Sequence, residues 1–198
     1  MSGYDAQTFE FYAAEAPVYT ASGKLGVSRH LDRFLDRLPA GADILELGCG
    51  GGRDAAHMMA RGFAVDPTDA TPGMVAKARE GFGLPARVMR FDQLDASEAY
   101  AAVWAHACLI HVPRTDLAGV LAAIHRALRP GGWHFADFKL GDGEGRDPLG
   151  RLTNFPSSRW LEDAYRAAGF IIADAVTYRG EGADGVVRDW HALTVQRR

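Results

Sequence analysis

The chain has 198 residues, a formal net charge of -3, 47% hydrophobic residues and 24% charged ones. That is the balance of a globular domain able to bury about 70% of its unfolded surface. With Arg197–Arg198 as its basic cluster, it argues against a nucleic-acid or membrane partner. Two cysteines, Cys49 and Cys108, make no disulfide framework, so a reduced, cytoplasmic setting is expected. The first twenty residues lack the basic start and apolar run of a signal peptide, and no apolar run approaches a membrane span.

In chain order, residues 1–40 read as an N-terminal helical cap on one domain covering 1–198. Val27, Leu31, Phe34, Leu35 and Leu38 fall on one helical face, which Pro39 stops. "DILELG" is a short apolar strand, "RDAAHMMARG" a helix ended by Gly62, and "FAV" the start of a second strand. In "TPGMVAKAREG", Thr71 suits the cap, Pro72 the first helical position and Gly81 the stop. "ARVMRF" reads as a third strand. "AAVWAHACLI" is apolar enough for a strand buried on both faces. A helix with Leu117, Val120, Leu121, Ile124 and Leu128 on one stripe follows, then the strand "WHFADFK". A polar, glycine-rich stretch over 139–156 is long for a loop and has the composition of a substrate-side lid. The helix "SSRWLEDAYRAAG" leads to two strands, "FIIADAVTY" and "VVRDWHALTV", joined by a turn in "RGEGADG". Alternation of strands and helices implies a parallel sheet covered on both sides, with ligands at the carboxyl ends of its strands.

Four glycines within residues 48–52 follow the first strand directly. Glycine there permits a tight turn and lets a ligand reach the main chain, with unpaired N–H groups of the next helix nearby. A phosphate-binding loop requires a lysine that is absent. The dinucleotide pattern G-x-G-x-x-G is broken, since its sixth position is Arg53 or Ala55. The spacing that remains is Glu46-x-Gly48-x-Gly50-x-Gly52.

This motif resembles the first motif of the class I S-adenosylmethionine-dependent methyltransferases. Further stations follow in order: "DATPGM" at 69–74, "RFDQL" at 90–94 and "LRPGGWHFADF" at 128–138. The small-molecule branch, including tellurite-resistance-type enzymes, is the nearest likeness. It implies an α/β, three-layer Rossmann-like fold, with seven mostly parallel strands and the last antiparallel. It also implies S-adenosyl-L-methionine as cofactor. Asp69 is the family match for the ribose diol and Asp66 its rival, because Pro67 can end the strand early. Asp92 is the partner of the adenine amino group. Ala70, Met74 and Leu94 border the ring, with Gln93, Ala105 and His106 beside the cofactor and Glu46 orienting its amino-acid end. Arg53 suits the methionine carboxylate. Tyr12 and Tyr19 resemble a Y-x6-Y signature that folds over the cofactor.

The cofactor carries the activated methyl group, so the chain must hold an acceptor behind it and exclude water. A base is needed only where the acceptor must lose a proton, and His106 and His111 are the candidates. Cys108 and His111 have the spacing of metal ligands but no second pair, so no metal is expected. Lys139, Arg151 and Phe155 are candidates for an anionic or planar acceptor. The expected partner is a small molecule, with the chain a monomer or homodimer. A nicotinamide-dependent oxidoreductase and a non-catalytic cofactor-binding module are the competing readings.

Overall fold

The computed structural model describes the backbone of residues 4–21 and 26–198 and the side chains of 4–15 and 26–198. Helix α1 (Ala6–Ala21) and the short α2 (Leu31–Leu35) precede strand β1 (Asp43–Leu47). Then come α3 (Arg53–Ala60), β2 (Ala64–Asp69), α4 (Pro72–Phe82), β3 (Arg87–Val88) and β4 (Tyr100–Ala105). Next are α5 (Leu117–Ala127), β5 (Leu128–Lys139), β6 (Gly143–Arg146), β7 (Leu152–Phe155) and α6 (Ser158–Ala167). Strands β8 (Phe170–Glu181) and β9 (Val187–Arg197) follow. Seven strands form one sheet in the order β3-β2-β1-β4-β5-β9-β8, with β9 antiparallel to both of its neighbours. This is the expected α/β class with an antiparallel final strand.

Alternate residues of the central strands point into opposite layers. Ile44, Ala102, Trp104 and Phe135 face Leu31 and Phe34 of α2 and Met58 of α3. There Trp104 stacks on Phe135, with ring centroids 4.2 Å apart. Leu45, Leu47, Val103 and Ala105 face the opposite layer, with Leu117, Val120, Leu121 and Ile124 of α5 and Leu161 of α6. Each of the buried valine, leucine, isoleucine, phenylalanine and methionine side chains favours the fold by about 1.5–3 kcal/mol over exposure.

Several sequence expectations change. The helix expected before Pro39 shrinks to Leu31–Leu35. Val27 is 43% exposed, and the Ser28 N–H donates to Asp54 Oδ1 at 2.9 Å, which diverts this segment to the sheet's carboxyl end. Helix α4 passes Gly81 and stops at Gly83, whose φ of +65° ends it. The third strand is only Arg87–Val88. The fourth stops at Ala105, because Ala107 takes φ +52° with its N–H on Asp137 Oδ1. Pro67 lies inside β2 and does not end it. Its phase matches Asp69, whose carbonyl accepts from Met89 N–H, so its missing donor faces a side where pairing begins at Thr68.

The 139–156 stretch contains a two-stranded antiparallel hairpin, β6–β7. Asp147 forms its turn, accepting the N–H groups of Leu149 and Arg151. No described helix is long and apolar enough to cross a membrane.

Candidate active site

A cavity of about 430 Å³ opens at the carboxyl ends of β1, β2, β4 and β5, a size suited to a small organic ligand. Helix α1 covers it with Thr8, Phe9 and Tyr12, and Asp5 just before the helix joins them. The segment 26–30 and the β8–β9 hairpin close its sides.

The glycine turn forms one wall. Gly48 has φ +66°, and a Cβ there would sit 2.5 Å from Cys108 Cβ. Gly50 has φ +53°, and a Cβ would meet no atom within 4 Å, so the bare main chain borders open space. Gly52 lies outside the cavity, where it lets the turn pack on Ala78 and Leu84.

Two carboxylates meet at this turn. Asp69, at the end of β2, accepts Gly50 N–H at 3.0 Å and Thr71 N–H at 2.8 Å. Burial raises its pKa. Glu46 is 3% exposed, and its Oε2 has no hydrogen-bond partner among the described residues. Burial, reinforced by Asp54 and Asp69, holds its carboxyl well above the usual range. It lines the cavity directly. Asp66 is turned away into a pairing with Arg87, at 2.9 and 2.8 Å, and with the Tyr100 hydroxyl at 2.6 Å.

Of the other residues singled out in the sequence, Arg53, Ala70 and Met74 line the same region. Asp92, Gln93, Leu94 and Ala105 do not. Asp92 is held by Arg90 at 2.9 and 3.0 Å, Gln93 accepts Arg90 N–H, and Leu94 and Ala105 are core. Phe91, beside Asp92, is on the wall instead. Tyr19 belongs to α1, but its side chain lies outside the described residues.

His106 stands on the wall between two buried carboxylates. Its Nδ1 is 3.7 Å from Asp54 and its Nε2 3.5 Å from Asp137. Both carboxylates are fixed from behind, Asp54 by Ser28 N–H and Trp104 Nε1–H, Asp137 by Ala107 N–H and the Tyr178 hydroxyl. His111 sits deeper, with Nδ1 2.6 Å from the Leu152 carbonyl and Nε2 3.0 Å from the Tyr12 hydroxyl.

Lys139 and Arg151 reach the cavity already neutralised. Lys139, 1% exposed, pairs with buried Asp184 at 2.9 Å, and Arg151, 2% exposed, with buried Asp147 at 2.6 Å. Phe155 lies outside the lining and stacks with Arg188. Asp54, Asp137, Tyr178 and Trp190 escaped the sequence reading. Asp137 carried a usable signal, as a lone acid within an apolar strand. No described group of histidine, cysteine or acidic residues could hold a metal ion.

A family model described as a methyltransferase domain matches residues 44–132, which span β1, the glycine turn, Asp69 and His106. That stretch of the chain is similar to the methyltransferase-domain family. The chain is 36% identical over 101 residues to the ubiquinone biosynthesis O-methyltransferase of Xanthomonas axonopodis pv. citri (strain 306), covering 48% of this chain and 41% of that protein. The chain thus spans under half the length of that curated relative. Among solved structures it resembles a SAM-dependent methyltransferase from Methanosarcina mazei, with TM-score 0.77 and 16% identity over 87% of this chain and 99% of that one. It also resembles the Burkholderia thailandensis 1,6-didemethyltoxoflavin-N1-methyltransferase, solved with 1,6-didemethyltoxoflavin and S-adenosylhomocysteine. That match has TM-score 0.76 and 22% identity, over 96% and 86% of the chains. At these identities the two structures support the fold alone.

Proposed function

We propose that this protein is an S-adenosylmethionine-dependent methyltransferase acting on a small-molecule acceptor. One observation carries the reading: a buried carboxylate, Glu46, and a half-buried one, Asp69, face one cavity across a turn bare of side chains. An unpartnered buried carboxylate is costly unless a cation or donor arrives to meet it. A ligand with an ammonium group and a vicinal diol satisfies both. In this reading Asp69 accepts the ribose hydroxyls, Glu46 faces the amino group, and Gly48 and Gly50 admit the ligand to the main chain. Met74 and Phe91 offer apolar surface to the base. Arg53, at the start of α3, lies at the carboxylate end.

When bound, the cofactor supplies a methyl group already activated by the sulfonium. The chain's share is to hold the acceptor and exclude water, which α1 and the β8–β9 hairpin are placed to do. Calorimetric titration with S-adenosylhomocysteine tests the reading, and absence of binding at high micromolar ligand would end it. A screen for S-adenosylhomocysteine release from S-adenosylmethionine then separates an enzyme from a non-catalytic cofactor-binding module.

A further inference from the structure

Arg29 lines the cavity and has no part in the cofactor reading. Its guanidinium carbon lies 4.9 Å from the centroid of the Tyr178 ring, and among the described residues it forms no hydrogen bond or ion pair. Residues 1–3 and 16–25 contain no aspartate or glutamate that could neutralise it. Lys139 and Arg151 differ, since each is matched by its own buried carboxylate, Asp184 and Asp147. The main chain around Arg29 is fixed on both sides. Ser28 N–H donates to Asp54 at 2.9 Å, and the His30 ring packs on those of Phe135 and Tyr178, with centroids 5.4 and 4.9 Å away. A guanidinium over a ring face keeps N–H groups at its edge, where a planar carboxylate can meet two of them at once.

Arg29 also stands away from the cofactor's sugar and base. Asp69 ends β2, on one side of β1, whereas Tyr178 belongs to β8 at the opposite edge of the sheet. The Tyr178 hydroxyl reaches back to Asp137 of β5 at 2.8 Å, which sets its ring along the cavity wall. The Trp190 ring of β9 lies nearly parallel to it, with 12° between their planes. This flank therefore joins a cation to flat apolar surface. The acids nearby are engaged elsewhere. Asp54 and Asp137 each accept two hydrogen bonds, and Glu181 is exposed to solvent and forms no ion pair with Arg29.

We infer that Arg29, over Tyr178, is a specificity-determining residue that selects a flat acceptor carrying a carboxylate. The inference rests on the methyltransferase reading and names its substrate class. The carboxylate meets the Arg29 fork while the acceptor's ring lies along Tyr178 and Trp190. An amide in place of the carboxylate would lose the charge and set an NH2 group against one arm of the fork.

The test uses the full chain loaded with S-adenosylhomocysteine and three probes: 3-hydroxybenzoate, its neutral counterpart 3-hydroxybenzamide, and phenyl phosphate. Binding is read by calorimetry. The benzoate is expected to bind about tenfold more tightly than the benzamide in the wild type, and Arg29→Gln to bring the two within about twofold. Should the glutamine variant fail to fold, Arg29→Lys gives the same reading, with a reduced ratio expected because the fork is lost. Absence of benzoate binding at millimolar concentration, equal affinities in the wild type, or a ratio unchanged in the variant would overturn the inference. So would tighter binding of phenyl phosphate than of the benzoate. Arg29→Gln is expected to bind S-adenosylhomocysteine as the wild type does; a folded variant about tenfold weaker would place Arg29 on the cofactor and overturn the inference as well. Loss of S-adenosylhomocysteine binding by the wild type would remove the methyltransferase reading. Intact cofactor binding with indifferent benzoate and benzamide removes this inference alone.

Discussion

Replacing Glu46 by glutamine should make the ligand-free protein more stable and the cofactor complex weaker. The carboxyl is buried, has an unpartnered oxygen and lies near the charges of Asp54 and Asp69. The folded protein therefore keeps this proton to higher pH than the unfolded chain does. Over that interval the folded state binds more protons than the unfolded state, so stability falls as pH rises above the ordinary glutamate range. The loss runs at about 1.4 kcal/mol per pH unit for as long as the folded carboxyl stays protonated. The amide has no such penalty. Glu46→Gln is expected to match the wild type near pH 4.5 and to exceed it by about 2 kcal/mol at pH 7.5. For a domain of this size that raises Tm by about 4–8 °C. Loss of the charge facing an ammonium should weaken S-adenosylhomocysteine about 10- to 100-fold. Scanning calorimetry at the two pH values and titration at pH 7.5 give both numbers. A variant that melts below the wild type at pH 7.5, or gains its advantage at the acid end, would refute the reasoning.

The remaining predictions follow the same geometry. Asp69→Asn should weaken S-adenosylhomocysteine about tenfold or more, whereas Asp66→Asn should change it by less than about threefold; titration of both variants distinguishes the two carboxylates. Gly48→Ala places a Cβ in the left-handed region against Cys108 and should cost about 2–4 kcal/mol in urea unfolding. Lys139→Met leaves buried Asp184 with only the more distant Arg188, at 3.7 Å, and should cost about 2–4 kcal/mol. The double change Lys139→Met with Asp184→Leu should recover most of that, as a denaturation cycle would show.

The fold was legible wherever one residue period held over a whole element. The apolar run of β1, the stripe of α5 and the glycine turn needed nothing beyond local pattern. Where tertiary partners decide, the local reading failed. Ser28 is drawn to Asp54, so the helical face seen from Val27 to Leu38 survives only over Leu31–Leu35. The β6–β7 hairpin was hidden because Gly143, Glu144, Gly145 and Arg146 carry no apolar alternation. At the site, residues next to the glycine turn were legible because the turn fixes their place. Asp92, named from the same motif pattern, pairs with Arg90 two residues away and lies off the cavity wall, where Phe91 stands. Asp137, Tyr178 and Trp190 belong to strands whose convergence depends on the complete sheet order.

That sheet order has a consequence for how the molecule is made. Strand β9 lies between β5 and β8, yet it is synthesised after both. While the chain grows on a ribosome, β5 waits with an open edge until residues 187–197 emerge. Nucleation can begin among β1, β2 and β4 and their helices, but the sheet cannot close until this late strand inserts. Nascent chains stalled before residue 187 should therefore be sticky and protease-sensitive, and a chaperone would be most needed in that window.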